Sequence, residues 1–239
     1  MRPIVIETNT PVNVIPQGGD AICSAGLDAF TSIGTLGTYA PKESLFWEGD
    51  QAEFQYRVVR GTVCLYKLLP DGRRQVARFC HAGDLIGLSA RTNYQYTADA
   101  LTDVTVQRIR RAELDAHMED DPTLRRGVLA SISEELNAAQ NQLLLLGRKS
   151  ASERVASFLV AMTEQAMRQG GDGHSVFLPM TRVDIADYLG LTHETVCRVF
   201  SQLKAQGIVR FSDPHEVEIS DATALSVLAD GDMDTRLCA

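Results

Sequence analysis

Glu194 and Arg198 stand four residues apart, in a stretch that also holds Thr192, His193, Thr195, Cys197 and Ser201. On a helix that spacing puts a carboxylate and a guanidinium on one face, one turn apart. A carboxylate can accept from the exocyclic amine of cytosine or adenine, and a guanidinium can donate to both major-groove acceptors of guanine. The same two residues could instead form a surface ion pair worth about 0.3–0.5 kcal/mol. Thr192, Thr195, Ser201 and, further upstream, Arg182 are of the types that hold phosphates, contacts that position without specifying. His193 is either a phosphate donor or a plain surface histidine.

These side chains need rigid supports, and the surrounding sequence supplies them. Thr181 precedes Asp184 by the spacing of a cap, and Ile185, Ala186 and Leu189 give the helix that follows a buried face. Gly190 provides a turn. Thr192 caps a second helix whose apolar side is Val196, Val199, Phe200 and Leu203, so that Glu194, Cys197, Arg198 and Ser201 face outward near its start. Two short helices joined through a glycine form a helix-turn-helix. Beyond Gly207, Ile208–Phe211 and Val217–Ile219 flank Ser212-Asp213-Pro214-His215 and read as a β-hairpin, the wing of a winged helix.

Upstream, the pattern changes. Between about Leu36 and Ile109, short β-prone runs alternate with turns, and Gly49, Gly61, Gly72 and Gly83 recur at the interval at which antiparallel strands reverse. Cys64 and Cys80 fall on such strands as core fillers. Pro122 is placed to open a helix, and Leu129, Ile132, Leu136, Ala139, Leu143 and Leu146 advance by alternating threes and fours, the spacing of a coiled-coil seam. About three heptads imply a partner helix, the alternative being a core helix lying on its own β domain. Gly147 is expected to end it, and Ser150 with Glu153 to cap another helix, which buries Val155, Phe158, Leu159 and Met162. From about Asp221 the chain is polar and acidic, and a partly disordered tail is expected.

The whole chain, 239 residues with a mean hydropathy of -0.09, reads as a globular α+β protein. It has no membrane-length apolar run and no secretory leader, so the cytoplasm is its expected location. Five cysteines, Cys23, Cys64, Cys80, Cys197 and Cys238, include no CxxC pair, which argues against a disulfide framework or a zinc finger; no metal site is expected. Net charge is -8, unfavourable for a polyanionic partner taken as a total. The local distribution of charge points the other way. Residues 148–212 carry 8 basic against 6 acidic residues, while 1–147 carry 14 against 18 and 213–239 carry 1 against 7. No P-loop, HExxH helix or nucleophile with a base is present, which excludes the common enzyme classes.

Leu145–Leu159, then Thr181-Arg182-x-Asp184-Ile185-Ala186-Asp187-Tyr188-Leu189-Gly190-Leu191 and Glu194-Thr195-Val196-x-Arg198, closely resemble the CRP/FNR transcription regulators of the FixK branch. The resemblance spans about residues 20–220. It implies a cyclic-nucleotide-binding-like β-roll with its N-terminal segment (1–117), a long dimerisation helix (118–147), a winged helix-turn-helix that binds DNA (148–222) and the acidic tail (223–239). By the same resemblance, Glu194 and Arg198 read bases, with Cys197 between them, and the partners are a second copy of the chain, RNA polymerase and double-stranded DNA carrying a TTGAT-N4-ATCAA-like palindrome. The implied function is activation of low-oxygen respiration and nitrogen-fixation genes.

Departures from the family bear on cofactors. Cyclic-nucleotide binders use a Gly-Glu pair and an Arg-Ser/Thr-Ala cassette; here Gly87 is followed by Leu88, and Tyr96-Thr97-Ala98 lacks the arginine. Oxygen-sensing FNR proteins hold an iron–sulfur cluster on an amino-terminal cysteine group, and this chain has only Cys23 before Cys64. DNA binding with no cofactor or effector is therefore expected; the alternative is a ligand-gated repressor with an unidentified effector in the β-roll. Cys197 stands where FNR-type recognition helices carry serine. Its place near a helix start and beside Arg198 favours reactivity, so that oxidation would disable the protein, although a passive small side chain satisfies the same position.

Overall fold

Short β-prone runs broken by turns between Thr35 and Arg110 build eight strands, several of them buried over consecutive residues. The computed structural model describes residues 33–88 and 91–231. The chain divides into two compact units, residues 1–136 and 137–239. In the first, β1 (Thr35–Tyr39), β8 (Val104–Arg110), β3 (Phe54–Arg60) and β6 (Leu85–Ile86) form one four-stranded antiparallel sheet. The order β2 (Ser44–Phe46), β7 (Thr97–Ala100), β4 (Val63–Leu68), β5 (Arg74–Cys80) forms the other. This is the expected β-roll. The β4–β5 hairpin closes at Gly72, whose N–H donates to the Leu69 carbonyl, and its register places Val63 opposite Cys80. Cys64 and Cys80 are both buried core residues, and burial pushes the Cys80 thiol pKa up.

Aromatic side chains occupy the roll's interior. Phe46 stacks on Tyr94 at 3.9 Å between centroids and on Tyr56 at 5.5 Å, with Tyr39 buried in the same cluster. The Tyr94 hydroxyl donates to the Phe54 carbonyl at 2.6 Å and accepts from the Phe54 N–H at 3.2 Å. A second cluster, Leu85, Ile109, Leu114, Leu124 and Val128, joins the first sheet to α1 (Arg111–Asp120) and the start of α2 (Pro122–Arg148). Helix α1 carries no apolar stripe that would mark it in the sequence, Leu114 being its one buried residue. Residues 118–120, expected to open the long helix, close α1 instead, and α2 starts at Pro122 after Asp121, whose carboxylate accepts from the Thr123 and Leu124 N–H groups.

Gly147 does not end α2, which continues to Arg148. A single glycine costs a helix about 1 kcal/mol against alanine, too little by itself to end one. In the second unit, α3 (Ala151–Arg168) opens with the expected capping box of Ser150 and Glu153. Val155, Phe158 and Leu159 are buried, whereas Met162 is half-buried rather than core. The helix-turn-helix follows as α4 (Arg182–Leu189) and α5 (His193–Ala205). The wing is a three-stranded antiparallel sheet in the order β10 (Val209–Asp213), β11 (Glu216–Ile219), β9 (Ser175–Phe177).

The acidic segment expected to be disordered from Asp221 folds as α6 (Ala222–Asp230). Asp221 caps it by accepting from the Ala224 N–H at 2.9 Å, Leu225 and Ala229 pack inward against α3, and Gly231 ends it in the left-handed conformation. Cys23, Cys238, Asp232 and Asp234 lie outside the described residues. Among those described, no helix is long and apolar enough to cross a membrane.

Candidate nucleic-acid interface

The interface rests on two caps and one turn. Thr181 Oγ1 accepts from the Asp184 N–H at 3.2 Å, and Asp184 Oδ2 accepts from the Thr181 N–H at 2.8 Å, closing a box at the start of α4. Gly190 takes φ 61 and ψ 39, a left-handed turn disfavoured for residues with a Cβ, and its N–H returns to the Ala186 carbonyl. Thr192 then accepts from the Thr195 N–H at 3.2 Å and starts α5. Val196, Val199, Phe200 and Leu203 are buried, as their spacing requires.

On the opposite side of α5, Thr192, His193, Glu194, Arg198 and Ser201 are exposed, while Thr195 and Cys197 are half-buried. The ion pair that the spacing of Glu194 and Arg198 would permit is not formed among the described residues, leaving both heads to solvent. Ser201 Oγ donates back to the Cys197 carbonyl at 2.9 Å, and the Thr192 and Thr195 hydroxyls are 2.9 Å apart. Cys197 Sγ lies 3.5 Å from His193 Nε2.

Three cations of the basic segment are committed inside the fold. Arg154 donates from Nε to the Lys149 carbonyl at 2.9 Å, from Nη1 to the Leu189 carbonyl at 3.0 Å and from Nη2 to the Leu146 carbonyl at 2.8 Å. One guanidinium thus satisfies carbonyls at the ends of α2 and α4. Lys149 Nζ donates to Ser157 Oγ and to the Ala229 carbonyl, both at 2.8 Å, holding the end of α6. Arg182, expected at a phosphate, has its guanidinium carbon 3.8 Å from the Phe200 ring centroid and 5.3 Å from that of Phe211. Burial holds its pKa below the usual arginine value. Sequence reasoning gave none of these three an internal role, since each also meets a partner far along the chain: Arg154 the Leu189 carbonyl, Lys149 that of Ala229 and Arg182 the Phe200 ring.

The expected seam is largely open. Leu129 is 56% exposed, Ile132 45%, Leu136 58% and Leu143 72%, and Ala139 is exposed as well. Leu146 is half-buried, with Cδ2 3.5 Å from where a Cβ on Gly190 would sit, so it packs on the turn. Leu144, absent from the seam reading, is 65% exposed.

Residues 153–228 match the Crp-like helix-turn-helix domain, and residues 36–121 match the cyclic nucleotide-binding domain. The chain is 39% identical over 215 residues to the transcriptional activatory protein AadR of Rhodopseudomonas palustris, covering 88% of this chain and 90% of that protein. It is 40% identical over 193 residues to the nitrogen fixation regulation protein FixK of Bradyrhizobium diazoefficiens, covering 79% and 81%. The chain belongs to the CRP/FNR family, on its FixK branch. The solved structure of FixK2 from Bradyrhizobium japonicum superimposes on this CRP/FNR chain with a TM-score of 0.77 at 39% identity, over 82% of this chain and 97% of that one. Its relatives are transcription regulators, not enzymes. The cyclic nucleotide-binding fold is thus retained, but in this CRP/FNR chain Tyr94 stands 3.3 Å from the Cβ position of Gly87, the glycine that Leu88 follows.

Proposed function

We propose that this CRP/FNR protein is a homodimeric, sequence-specific transcription activator that reads a TTGAT-N4-ATCAA-like palindrome at low-oxygen respiration and nitrogen-fixation promoters. It works in the cytoplasm and engages RNA polymerase there. The observation that carries the reading is the outward face of α5: Glu194 and Arg198 leave an N-capped helix side by side, unpaired with each other. In a major groove Glu194 accepts from a cytosine or adenine amine, and Arg198 donates to guanine. Thr192, His193 and Thr195 at the start of the helix, and Ser201 about two turns along its outward face, hold phosphates. A second copy lies along Leu129, Ile132, Leu136, Ala139, Leu143 and Leu146, all but the last of them exposed, which favours it over the single-domain alternative. Twofold symmetry then sets the half-sites one turn, ~34 Å, apart.

Effector-free binding is favoured by the roll's interior, where Phe46, Tyr56 and Tyr94 fill space with the chain's own rings. The expected roles of residues 1–117 as a sensor-like domain, 118–147 as a dimer helix and 148–222 as a DNA-binding domain follow from this reading. Cys197 sits half-buried on the reading face; its oxidation places charge and bulk beside phosphates and abolishes binding.

The test is a footprint and titration of ligand-free protein on the palindrome. Wild type protects both half-sites without additions, while Glu194→Ala and Arg198→Ala each cost about 1–3 kcal/mol of discrimination at one base step. Equal affinity for scrambled duplex would overturn the proposal, and binding only after a small molecule is added would transfer it to the ligand-gated repressor. Cys197→Ser should bind as wild type and resist peroxide; a serine variant that stays sensitive removes the redox role.

A further inference from the structure

Arg182 is the first residue of α4, yet its side chain meets two other elements. Its guanidinium carbon lies 3.8 Å from the centroid of Phe200 on α5 and 5.3 Å from that of Phe211 on β10, and the two rings are 5.5 Å apart at 58°. Nη2 donates to the carbonyl of Pro214, in the turn between β10 and β11. A planar cation can stack on a ring face and donate in its own plane at once, which an ammonium cannot. Helix start, reading helix and wing turn therefore meet on one side chain.

We propose that Arg182 is a positioning residue that fixes the wing against the reading helix, rather than a phosphate contact. The inference rests on the DNA-reading function proposed above. Phe200 follows Arg198 by two residues on the same helix, so the ring that carries the guanidinium belongs to the element that presents the base-reading groups. Pro214 belongs to the hairpin that a winged helix lays beside the adjacent phosphates. Loosening this link lets the hairpin drift from the reading face, and affinity falls although no counterion-releasing contact has gone.

Salt titration separates the two roles, because each phosphate contact contributes about 0.9 to the slope of log affinity against log salt on B-form DNA. Full-length Arg182→Gln removes the charge, so loss of a phosphate contact would lower the slope by about 0.9 per copy, whereas loss of a positioning group leaves it unchanged; Arg182→Lys keeps the charge but loses the planar stack. The positioning role predicts about tenfold weaker binding to the palindrome with an unchanged slope. Phe211→Leu, which removes one ring and no charge, should weaken binding likewise, and the double variant should lose no more than either single one. In the wild-type NMR spectrum, the Arg182 δ protons should carry the upfield shift of a group above a ring. Lysine binding as tightly as arginine, or additive losses in the double variant, would overturn the inference while leaving the DNA-reading function standing. Failure of wild type to prefer the palindrome would instead remove that function.

Discussion

Arg154→Met should loosen the helix-turn-helix far more than a typical surface substitution. The guanidinium makes three hydrogen bonds of 2.8–3.0 Å to carbonyls, at the end of α2, just beyond it, and at the end of α4. Hydrogen bonds to charged groups contribute about 1.5–3 kcal/mol each, and a cation near a helix C-terminus adds about 0.3–1 kcal/mol. The three share one side chain and are not additive, and water can reach part of the site, so the net loss is about 3 kcal/mol. Set against the 5–15 kcal/mol typical of a domain, that is a large fraction. Because the chain has two units, one unfolding curve does not isolate the effect; native-state hydrogen exchange of amides in residues 182–205 does. Protection there should fall by about 3 kcal/mol, while Arg168→Gln, whose guanidinium reaches only Gln165, should cost under about 0.5 kcal/mol. A loss below about 1 kcal/mol in Arg154→Met, or an equal loss among β-roll amides, would refute the assignment of Arg154 as the link between these helix ends.

Gly61 has φ +90, and a Cβ there would collide with the Asp103 carbonyl, so Gly61→Ala should cost about 3 kcal/mol in urea unfolding; Gly72→Ala, with φ +83 but open space, should cost only about 1 kcal/mol. Tyr94→Phe leaves the Phe54 N–H and carbonyl without their partner and should lower β-roll stability by about 2 kcal/mol, read from Trp47 fluorescence. Burial raises the Glu135 carboxyl pKa, with Arg78 at 3.7 Å opposing and Asp84 adding to the rise. A folded value above the unfolded one means that the penalty is absent below the unfolded pKa and develops as pH rises through the folded one. Glu135→Gln should therefore match wild type in acid and exceed it at neutral pH, by no more than about 0.5 kcal/mol because the side chain is half exposed; thermal melts from pH 3 to 8 measure it.

What the sequence made legible were features whose partners lie within four residues. The boxes at Ser150–Glu153 and Thr181–Asp184, the Thr192 cap and the buried stripe Val196–Leu203 are local, and each stands in the structure as read. The strands of the roll were legible because β-prone runs and turn glycines recur together, although their order in two sheets depends on pairings distant in sequence. Helix α1 escaped because one buried leucine leaves no stripe to read. Helix α6 carried every signal, with Asp221 at its start, Leu225 and Ala229 inward and Gly231 at its end, but the acidic composition of the whole tail obscured them. The site's outward residues were legible; the occupations of Lys149, Arg154 and Arg182 were not, since charge counts do not tell a cation facing water from one facing a carbonyl.

That last distinction changes the electrostatics of DNA binding. Of the eight basic residues between 148 and 212, Lys149 and Arg154 hold helix ends and Arg182 lies on aromatic rings. Arg148, Arg168, Arg198, Lys204 and Arg210 are exposed, and Arg210 has Glu218 3.9 Å away. Few cations per copy are thus available to release counterions, in a chain whose net charge is -8. One protomer alone would meet a polyanion with little attraction and would depend on the two proposed base readers for most of its hold. Two copies joined along the open leucines double both contributions and turn the second encounter into an intramolecular one, at an effective concentration set by a rigid helix rather than by diffusion. On this electrostatic balance the proposed dimer is a condition of binding, and a charge on the seam, such as Leu136→Glu, should abolish DNA affinity without altering the reading face.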